Sequence, residues 1–163
     1  MDDLVERENI LYLKFSDVPF TGEVTGRYYQ GSFKNGKEEG FWREYYHDGQ
    51  LWVKANYKNG KQDGAWIAYH LNGQLQEKGN YKNDFRDGTW VYYHDDGELD
   101  EKGNYKNGKK EGAWIHYWGN GQLLYKGNFK NGKKDGVWVA YDDDGTIDKK
   151  RTGTFKNDVK ISN

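Results

Sequence analysis

The sequence of 163 residues contains no cysteine, only one proline and no long hydrophobic run. The lack of cysteine excludes disulfides, thiolate catalysis and zinc sites built from thiolates. No segment approaches the ~18 consecutive apolar residues of a membrane-spanning helix, so we expect no direct membrane insertion. The compartment stays open: cytoplasmic, or cell envelope or secreted if a leader peptide was removed ahead of Met1.

Groups for nucleophilic catalysis are also scarce. The only serines are Ser16, Ser32 and Ser162, and the chain has neither a nucleophile-elbow motif nor a phosphate-binding loop. The 25 Lys and Arg residues are interspersed with 26 Asp and Glu residues, which gives no basic field for nucleic acid. We therefore expect no enzyme activity, no cofactor and no nucleic-acid partner.

Aromatic residues and glycine are abundant by contrast. Aromatics make up 17% of the chain and glycine occurs 22 times, whereas all hydrophobic residues together reach only 34%. That composition is poor in apolar residues for a thick two-layer core, yet too aromatic and too nearly neutral for a disordered chain. It favours a thin β structure with many turns.

One pattern recurs every 24 residues along most of the chain. Each copy has one Gly, one Trp and one Tyr at fixed positions, which form the repeat framework. The framework residues are Gly40, Trp42, Tyr45, Gly64, Trp66, Tyr69, Gly88, Trp90, Tyr93, Gly112, Trp114, Tyr117, Gly136, Trp138 and Tyr141. We expect an N-terminal segment with a degenerate half repeat as a cap in residues 1–30, five repeats in 31–150, and a partial sixth repeat with a C-terminal tail in 151–163.

Two turn signals punctuate each repeat. Asn107-Gly108 and Asn120-Gly121 are examples of the first and the second, and such pairs tolerate the positive φ that tight hairpin turns require. The runs between turns have the length of strands, and no helical periodicity is present. The sequence therefore predicts an all-β fold: an elongated single-layer antiparallel sheet of stacked β-hairpins.

The second strand of each repeat has a distinctive face. Alternation places Leu75, Gly79 and Tyr81 on one side of the sheet, and we expect this side to be the packed one. Its glycine would let an aromatic ring from the neighbouring strand lie flat over the backbone.

The segment GNYKNGKKEGAWIHYWGNGQL, residues 103–123, resembles the MORN repeat in the variant form common in bacteria. The resemblance covers about residues 18–158. It implies an elongated, twisted sheet of hairpins with a shallow groove, and a binding or scaffolding role rather than catalysis. Bacterial relatives are often described as antitoxins of toxin–antitoxin pairs. Other relatives attach to membranes, but this chain lacks the basic face for lipid.

Several aromatic and histidine side chains stand outside the repeat framework. The favoured interpretation is that they fill space over a one-layer sheet, and the alternative is that they form a partner-binding strip. The candidates are Tyr46, Trp52, Tyr92, Trp118, Tyr125, His70, His94 and His116. Tyr and Trp are enriched in interfaces and binding hot spots.

No metal site is expected. His70 and His94 share one repeat position, and two intervening strand spacings separate their backbones by ~10 Å, which is long for one ion. The acidic runs Asp95-Asp96 and Asp142–Asp144 lack the spacing of a calcium loop and stand where each repeat has its second turn.

The sequence favours a non-enzymatic protein–protein interaction module, in the antitoxin-like or immunity class. The first alternative is a structural scaffold, self-assembling through its repeat ends or part of a cell envelope. The second is a carbohydrate-binding surface made of exposed Trp and Tyr rows.

Overall fold

The structure, a computed structural model, describes residues 4–162. Within these residues it contains seventeen β-strands and no helix, and therefore no helix capable of crossing a membrane. The strands are β1 (Leu4–Arg7), β2 (Ile10–Leu13), β3 (Gly22–Thr25), β4 (Tyr29–Lys34), β5 (Lys37–Tyr45), β6 (Leu51–Lys58), β7 (Lys61–Gln62), β8 (Gly64–Tyr69), β9 (Leu75–Lys82), β10 (Phe85–Tyr93), β11 (Leu99–Lys106), β12 (Lys109–Tyr117), β13 (Leu123–Lys130), β14 (Lys133–Lys134), β15 (Gly136–Ala140), β16 (Gly153–Lys156) and β17 (Val159–Ser162).

All strands from β3 onward lie in one antiparallel sheet, in chain order. The short strands β7 and β14 pair with β6 and β13, beside β8 and β15, while β1 and β2 form a separate hairpin. Thirteen strands stand in line, which at about 4.8 Å per strand gives a sheet roughly 58 Å long. The prediction of an all-β sheet of consecutive hairpins is confirmed. The proposed boundaries at 30 and 150 stay a prediction, and their outermost residues 1–3 and 163 lie outside the described part.

The first turn of each repeat is a two-residue hairpin turn. Asn107 and Gly108 have φ values of 51° and 74°, and the variant pair Asn83 and Asp84 has 49° and 68°. Positive φ at both central residues matches the right-handed twist of the flanking strands. Asn and Asp tolerate this conformation better than most residues, which explains why they recur here.

The second turn holds its aspartate or asparagine side chain against its own backbone. Asp96 Oδ1 accepts a hydrogen bond from the Glu98 amide at 2.9 Å, and the intervening Gly97 has φ 89°. Asp144 accepts the same kind of hydrogen bond from the Thr146 amide at 2.8 Å. This bond is the main reason why the pKa of the Asp144 carboxyl is lowered. Both acidic runs therefore contain residues that form turns, as the sequence indicated.

The second turn also adds one residue to the strand that follows it. The register slips between the pairs Ala68–Glu77 and Tyr69–Leu75, which is a β-bulge. Leu75 lies opposite Tyr69 and so on the other face from Gly79. The prediction that Leu75 shares the glycine face is therefore wrong, because simple alternation does not count the bulged residue.

The core is a row of tryptophan rings lying on glycine backbone, as predicted for the glycine face. A Cβ added to Gly103 would stand 2.1 Å from Trp114 Cδ2, so only glycine leaves room for the ring. Trp114 Nε1 donates to the Asn104 carbonyl at 3.1 Å. Trp90 and Trp138 make the equivalent contacts, and these three rings are between 0% and 2% exposed.

The second repeat departs from this arrangement. Ala55 stands at the position that glycine holds elsewhere. Trp66 is accordingly less buried, and its Nε1 donates to Glu77 Oε1 at 2.8 Å instead of to a backbone carbonyl. One methyl group is enough to displace a ring in this thin core.

Consecutive repeats are joined along the edge formed by the first turns. The Gly108 amide donates to the Arg86 carbonyl of the preceding repeat at 2.9 Å. The Asn131 amide donates to Glu111 Oε2 of the preceding repeat at 2.8 Å. The carboxylate of Glu111 therefore helps to hold neighbouring repeats together.

Gly88 provides a test of the turn geometry. It has φ +72°, and no atom lies within 4 Å of a Cβ built on it. The strain expected in Gly88→Val therefore comes from the backbone conformation and not from a steric clash. We expect a loss of about 1–2 kcal/mol in the free energy of unfolding, against less than about 0.5 kcal/mol for the exposed control Lys82→Ala. Thermal unfolding of both variants measures the difference. Equal melting temperatures would contradict the assigned conformation.

Candidate functional site

The side of the sheet that carries the five framework tryptophans is called the tryptophan face here. Along it, rings meet edge to face in an alternating row. Tyr81 and Trp90 have centroids 5.1 Å apart, and Phe129 and Trp138 have centroids 4.8 Å apart. Such pairs stabilise a core beyond the area they bury. The row is the repetitive element on which the candidate site is built.

In three repeats a basic side chain covers the outer surface of the ring. Arg86 Cζ lies 4.3 Å from the Trp90 centroid, and Lys110 Nζ lies 3.8 Å from that of Trp114. Lys134 lies 4.5 Å above Trp138 in the same way. These three residues occupy one repeat position and are called the internal cations. Each tryptophan is thus enclosed between glycine backbone and a cation, a favourable arrangement for the ring quadrupole.

Carboxylates complete two of these sites. Arg86 pairs with Glu77 at 3.2 Å, and Lys110 pairs with Glu101 at 2.6 Å. Burial tends to lower the pKa of Arg86, but hydrogen bonding to Tyr81 and the nearby Glu77 charge raise it overall. The tryptophan face therefore stabilises partly buried cations by combining an aromatic surface with a paired acid.

The first repeat has the ring but not the cation. Glu38 occupies the internal-cation position there, and Trp42 is 7% exposed. Among the described residues, Trp42 Nε1 also has no hydrogen-bond partner. A cavity of about 630 Å³ opens beside this ring, between the β1–β2 hairpin and the sheet.

Carboxylates and aromatic rings line this cavity, which is called the Trp42 cavity below. Its acidic lining residues are Glu6, Glu38 and Glu44, and none of the described lining residues is Lys or Arg. Burial raises the pKa of Glu44. The cavity therefore collects negative charge next to an aromatic surface without an opposing charge of its own.

Three of the predicted partner-binding residues make bonds between repeats. Tyr46 donates its hydroxyl to the Tyr69 carbonyl at 2.7 Å, and Trp118 Nε1 donates to the Tyr141 carbonyl at 3.3 Å. His70 Nε2 lies 2.9 Å from the Tyr93 carbonyl, and because that oxygen only accepts, this nitrogen carries the proton. The side chains at this repeat position thus brace one repeat against the next.

Two further candidates are packed over the internal cations. Tyr92 accepts a hydrogen bond from Arg86 Nη1 at 2.8 Å, and Tyr125 donates to Glu101 Oε1 at 2.6 Å. Burial is the first cause of the raised pKa of both hydroxyls. Both tyrosines are half-buried and hydrogen-bonded, so they are held in place on the tryptophan face.

The other two candidate histidines, His94 and His116, lie close to one aspartate. Asp100 Oδ1 lies 2.7 Å from His116 Nε2 and 3.7 Å from His94 Nε2, and the His116 ring packs edge-on against Tyr125 at 4.9 Å. No group of three or more potential ligands with metal-binding geometry occurs among residues 4–162. The structure thus brings His94, His116 and Tyr125 together around Asp100, and His70 and Tyr92 line the same open cleft as His94.

Trp52 is the candidate whose side chain is most open to solvent. It is 40% exposed, lies on the rim of the Trp42 cavity, and has its ring centroid 5.9 Å from that of Tyr46. Partner binding by any of these eight residues stays a prediction. Trp52 differs from the other seven because it lies beside the Trp42 cavity, whereas their side chains make hydrogen bonds or ion pairs within the chain.

Sequence reasoning missed Glu38 and Glu44. The signal was a column of residues 24 apart: Glu38, Gln62, Arg86, Lys110 and Lys134. The reversal of charge along this column marks the first repeat as different. This change of charge could be interpreted only from the structure, which shows that the basic side chains of this column lie over tryptophan rings.

The inter-repeat brace makes a prediction. Tyr46→Phe removes one hydroxyl and leaves the Tyr69 carbonyl without this donor, so we expect a loss of about 1 kcal/mol in stability. Tyr69→Phe is the control, because its ring keeps the contact with Lys54. Urea denaturation should separate the two variants. Indistinguishable curves would show that the brace adds nothing to stability.

Comparison with known proteins agrees with the architecture. A family model described as MORN repeat variant matches residues 38–59, 62–83, 86–107 and 110–131, which together exceed half of the chain. Among curated proteins there is no significant match. Among solved structures, a chain of a GtfA/B complex bound to UDP and GlcNAc is 13% identical, with a TM-score of 0.25, over 80% of this chain and 23% of its own length. That likeness is too low to argue from, whereas the four matched segments show that this chain belongs to the MORN repeat variant family.

Proposed function

We propose that this chain is a non-enzymatic protein-binding module whose partner docks at the N-terminal end of the tryptophan face, over Trp52 and the Trp42 cavity. MORN repeats are generally modules for protein or membrane interactions and are typically not enzymes. Balanced charge argues against a nucleic-acid partner, and we propose no cofactor.

One observation carries this proposal. The Trp42 cavity is open beside an exposed tryptophan, whereas basic side chains cover the rings of Trp90, Trp114 and Trp138. Aromatic anchors beside pockets are where binding energy concentrates in interfaces. An antitoxin-like or immunity role is the specific form of the proposal, in which the acidic cavity covers a basic surface of the partner.

Affinity capture from the source cells tests the docking position. The wild-type chain and Phe85→Ala should retain the same protein, because Phe85 is 57% exposed but lies away from the cavity. Trp52→Ala should lose that protein. Retention by all three chains would place the interface elsewhere, and the seven other candidates that the fold already engages would be tested next.

A structural scaffold is the second candidate function. Within residues 4–162, β17 pairs with β16 alone, and its side chains Val159 and Ile161 are 64% and 61% exposed. Such edges accept another strand, and end-to-end addition that does not close gives filaments. Light scattering across a concentration series distinguishes the two: constant monomer mass favours the binding module, and growth that Val159→Lys abolishes favours the scaffold.

A carbohydrate-binding surface has less support. Sugar rings stack on open aromatic faces, but three framework tryptophans are enclosed between glycine and a cation. Trp52 is the exposed exception, and glycan retention that Trp52→Ala abolishes would favour this function.

A further inference from the structure

The first repeat retains most of a cation-binding site found elsewhere in the same chain. Beside the Trp90 ring, Tyr92 and Glu77 face each other across neighbouring strands, and both contact Arg86. Beside the Trp42 ring, Tyr29 and Glu44 face each other across strands in the same way. The two residue types have exchanged strands, but the cross-strand pair of a tyrosine and a carboxylate is the same.

The aromatic surroundings correspond as well. The Tyr29 and Trp42 rings are stacked with centroids 6.3 Å apart at 25°, and those of Tyr92 and Trp90 are 6.1 Å apart at 26°. Phe33 meets Trp42 edge-on at 5.2 Å, as Tyr81 meets Trp90. The geometry that holds the Arg86 guanidinium is therefore repeated around Trp42.

Phe33 lacks the hydroxyl that accepts a hydrogen bond from Arg86 Nε at 3.4 Å in Tyr81, and the cation itself differs. Its position holds Glu38, so the site has gained a second carboxylate where the other repeats place the charge that neutralises the first. Glu6 of the β1–β2 hairpin adds a third carboxylate to the lining. Partly buried carboxylates are costly unless they are paired, and burial already raises the pKa of Glu44. Glu6 is exposed, and Glu6 and Glu38 also line a neighbouring cleft that contains Lys37 and Lys61, so Glu44 is the main cause of this cost.

We propose that the Trp42 cavity binds an alkylammonium or guanidinium group supplied from outside the chain, with the cation over the Trp42 ring and its charge facing Glu38 and Glu44. The chain itself shows which cations fit, because arginine and lysine both occupy the equivalent site in later repeats. This deepens the proposed function, on which the identification of the ligand as a partner's side chain rests. The cavity could also take the same group from a free polyamine.

Small probes test the site without a known partner. The indole N–H signal of Trp42, assigned by its loss in Trp42→Phe, is followed by NMR during titration with n-butylguanidinium and n-butylammonium. We expect a saturable shift with both probes and none with 1-butanol, which has the same alkyl chain without charge. No saturable shift with either cation would overturn the proposal.

Glu38→Lys is the decisive variant. It installs in the first repeat the cation that Lys110 and Lys134 provide in theirs, so the site becomes filled by the chain itself. Binding of n-butylguanidinium should weaken by about tenfold or more, without loss of folding. Glu98→Lys makes the same change of charge in a distant exposed turn and should bind as the wild type does. Equal weakening in both variants would mean a general charge effect and no site.

Glu44→Gln separates binding from stability. Because burial raises the pKa of Glu44, the folded state holds its proton more tightly than the unfolded state, and stability falls as pH rises above the usual carboxyl range. Glutamine removes that loss, so the variant should melt higher than the wild type near about pH 7, with the gap narrowing toward about pH 4. It should nevertheless bind n-butylguanidinium more weakly. A variant that binds as well as the wild type would remove Glu44 from the site.

The source of the cation is decided by two further ligands. Binding of the peptide acetyl-Gly-Arg-Gly-amide together with loss of the captured protein in Glu38→Lys would identify a partner's side chain. Binding of agmatine but not of the peptide would identify a free amine, and the protein-binding proposal would then fail while the cation site stands. Failure of both ligands and both butyl probes would overturn the cation site alone.

Discussion

Gly103→Ala should be among the most destabilising single substitutions in this chain. The new Cβ would stand 2.1 Å, 2.2 Å and 2.5 Å from three indole atoms of Trp114, and the ring has glycine backbone on one side and Lys110 on the other. It must leave a site where it is 2% exposed. We expect a loss of about 3 kcal/mol, which corresponds to a fall of about 10 °C in melting temperature for a chain of this size.

The matched control is Gly112→Ala in the same repeat. Gly112 has φ +70° and no atom within 4 Å of the added Cβ, so alanine meets backbone strain of about 1–2 kcal/mol and no clash. Thermal unfolding followed by circular dichroism compares the two. If Gly112→Ala is as damaging as Gly103→Ala, the ring does not depend on the missing side chain.

Trp90→Ala has the second large expected effect. The Trp90 ring is 0% exposed, contacts Tyr81, Tyr92 and Tyr105, and supports Arg86 on its outer surface. We expect a loss of about 3–5 kcal/mol in the free energy of unfolding. Urea denaturation at a fixed temperature gives this value directly.

Trp66→Ala provides the comparison within the same framework column. Trp66 lies beside Ala55 rather than glycine and is less buried, so its removal leaves a smaller cavity. We expect roughly half the loss of Trp90→Ala. Similar losses at both positions would mean that burial on glycine is not what makes these rings stabilising.

The fold could be predicted from the sequence because each repeat has the same residue types at the same positions. The positions of Asn-Gly, Trp and Gly recur every 24 residues, and each has one geometric requirement that few residue types satisfy. Leu75 was misplaced because the bulge depends on the hydrogen bonds of the second turn. Counting alternate residues along one strand does not include them.

The roles of Tyr46, His70 and Trp118 show why the site was harder to read. These side chains differ in size and shape, which made them look dispensable to the framework. They share the ability to donate one hydrogen bond to a carbonyl one repeat away. The Trp42 cavity could not be predicted from the sequence for a related reason. Glu38 stands at the repeat position of Arg86, Lys110 and Lys134, but only the structure shows that these side chains lie over tryptophan rings.

The alanine at position 55 has a consequence for the contacts that join neighbouring repeats. Ring contacts run from Phe33 to Tyr57 and again from Trp66 onward, and among the described residues none joins Tyr57 to Trp66. In a one-dimensional array, cooperativity depends on the coupling between neighbouring units. Both sides of this break lie in the second repeat, and a buried apolar cluster of Val53, Ala55 and Ala68 spans it together with Trp42. Coupling past this point therefore depends on the packing of small aliphatic side chains instead of on contacts between rings.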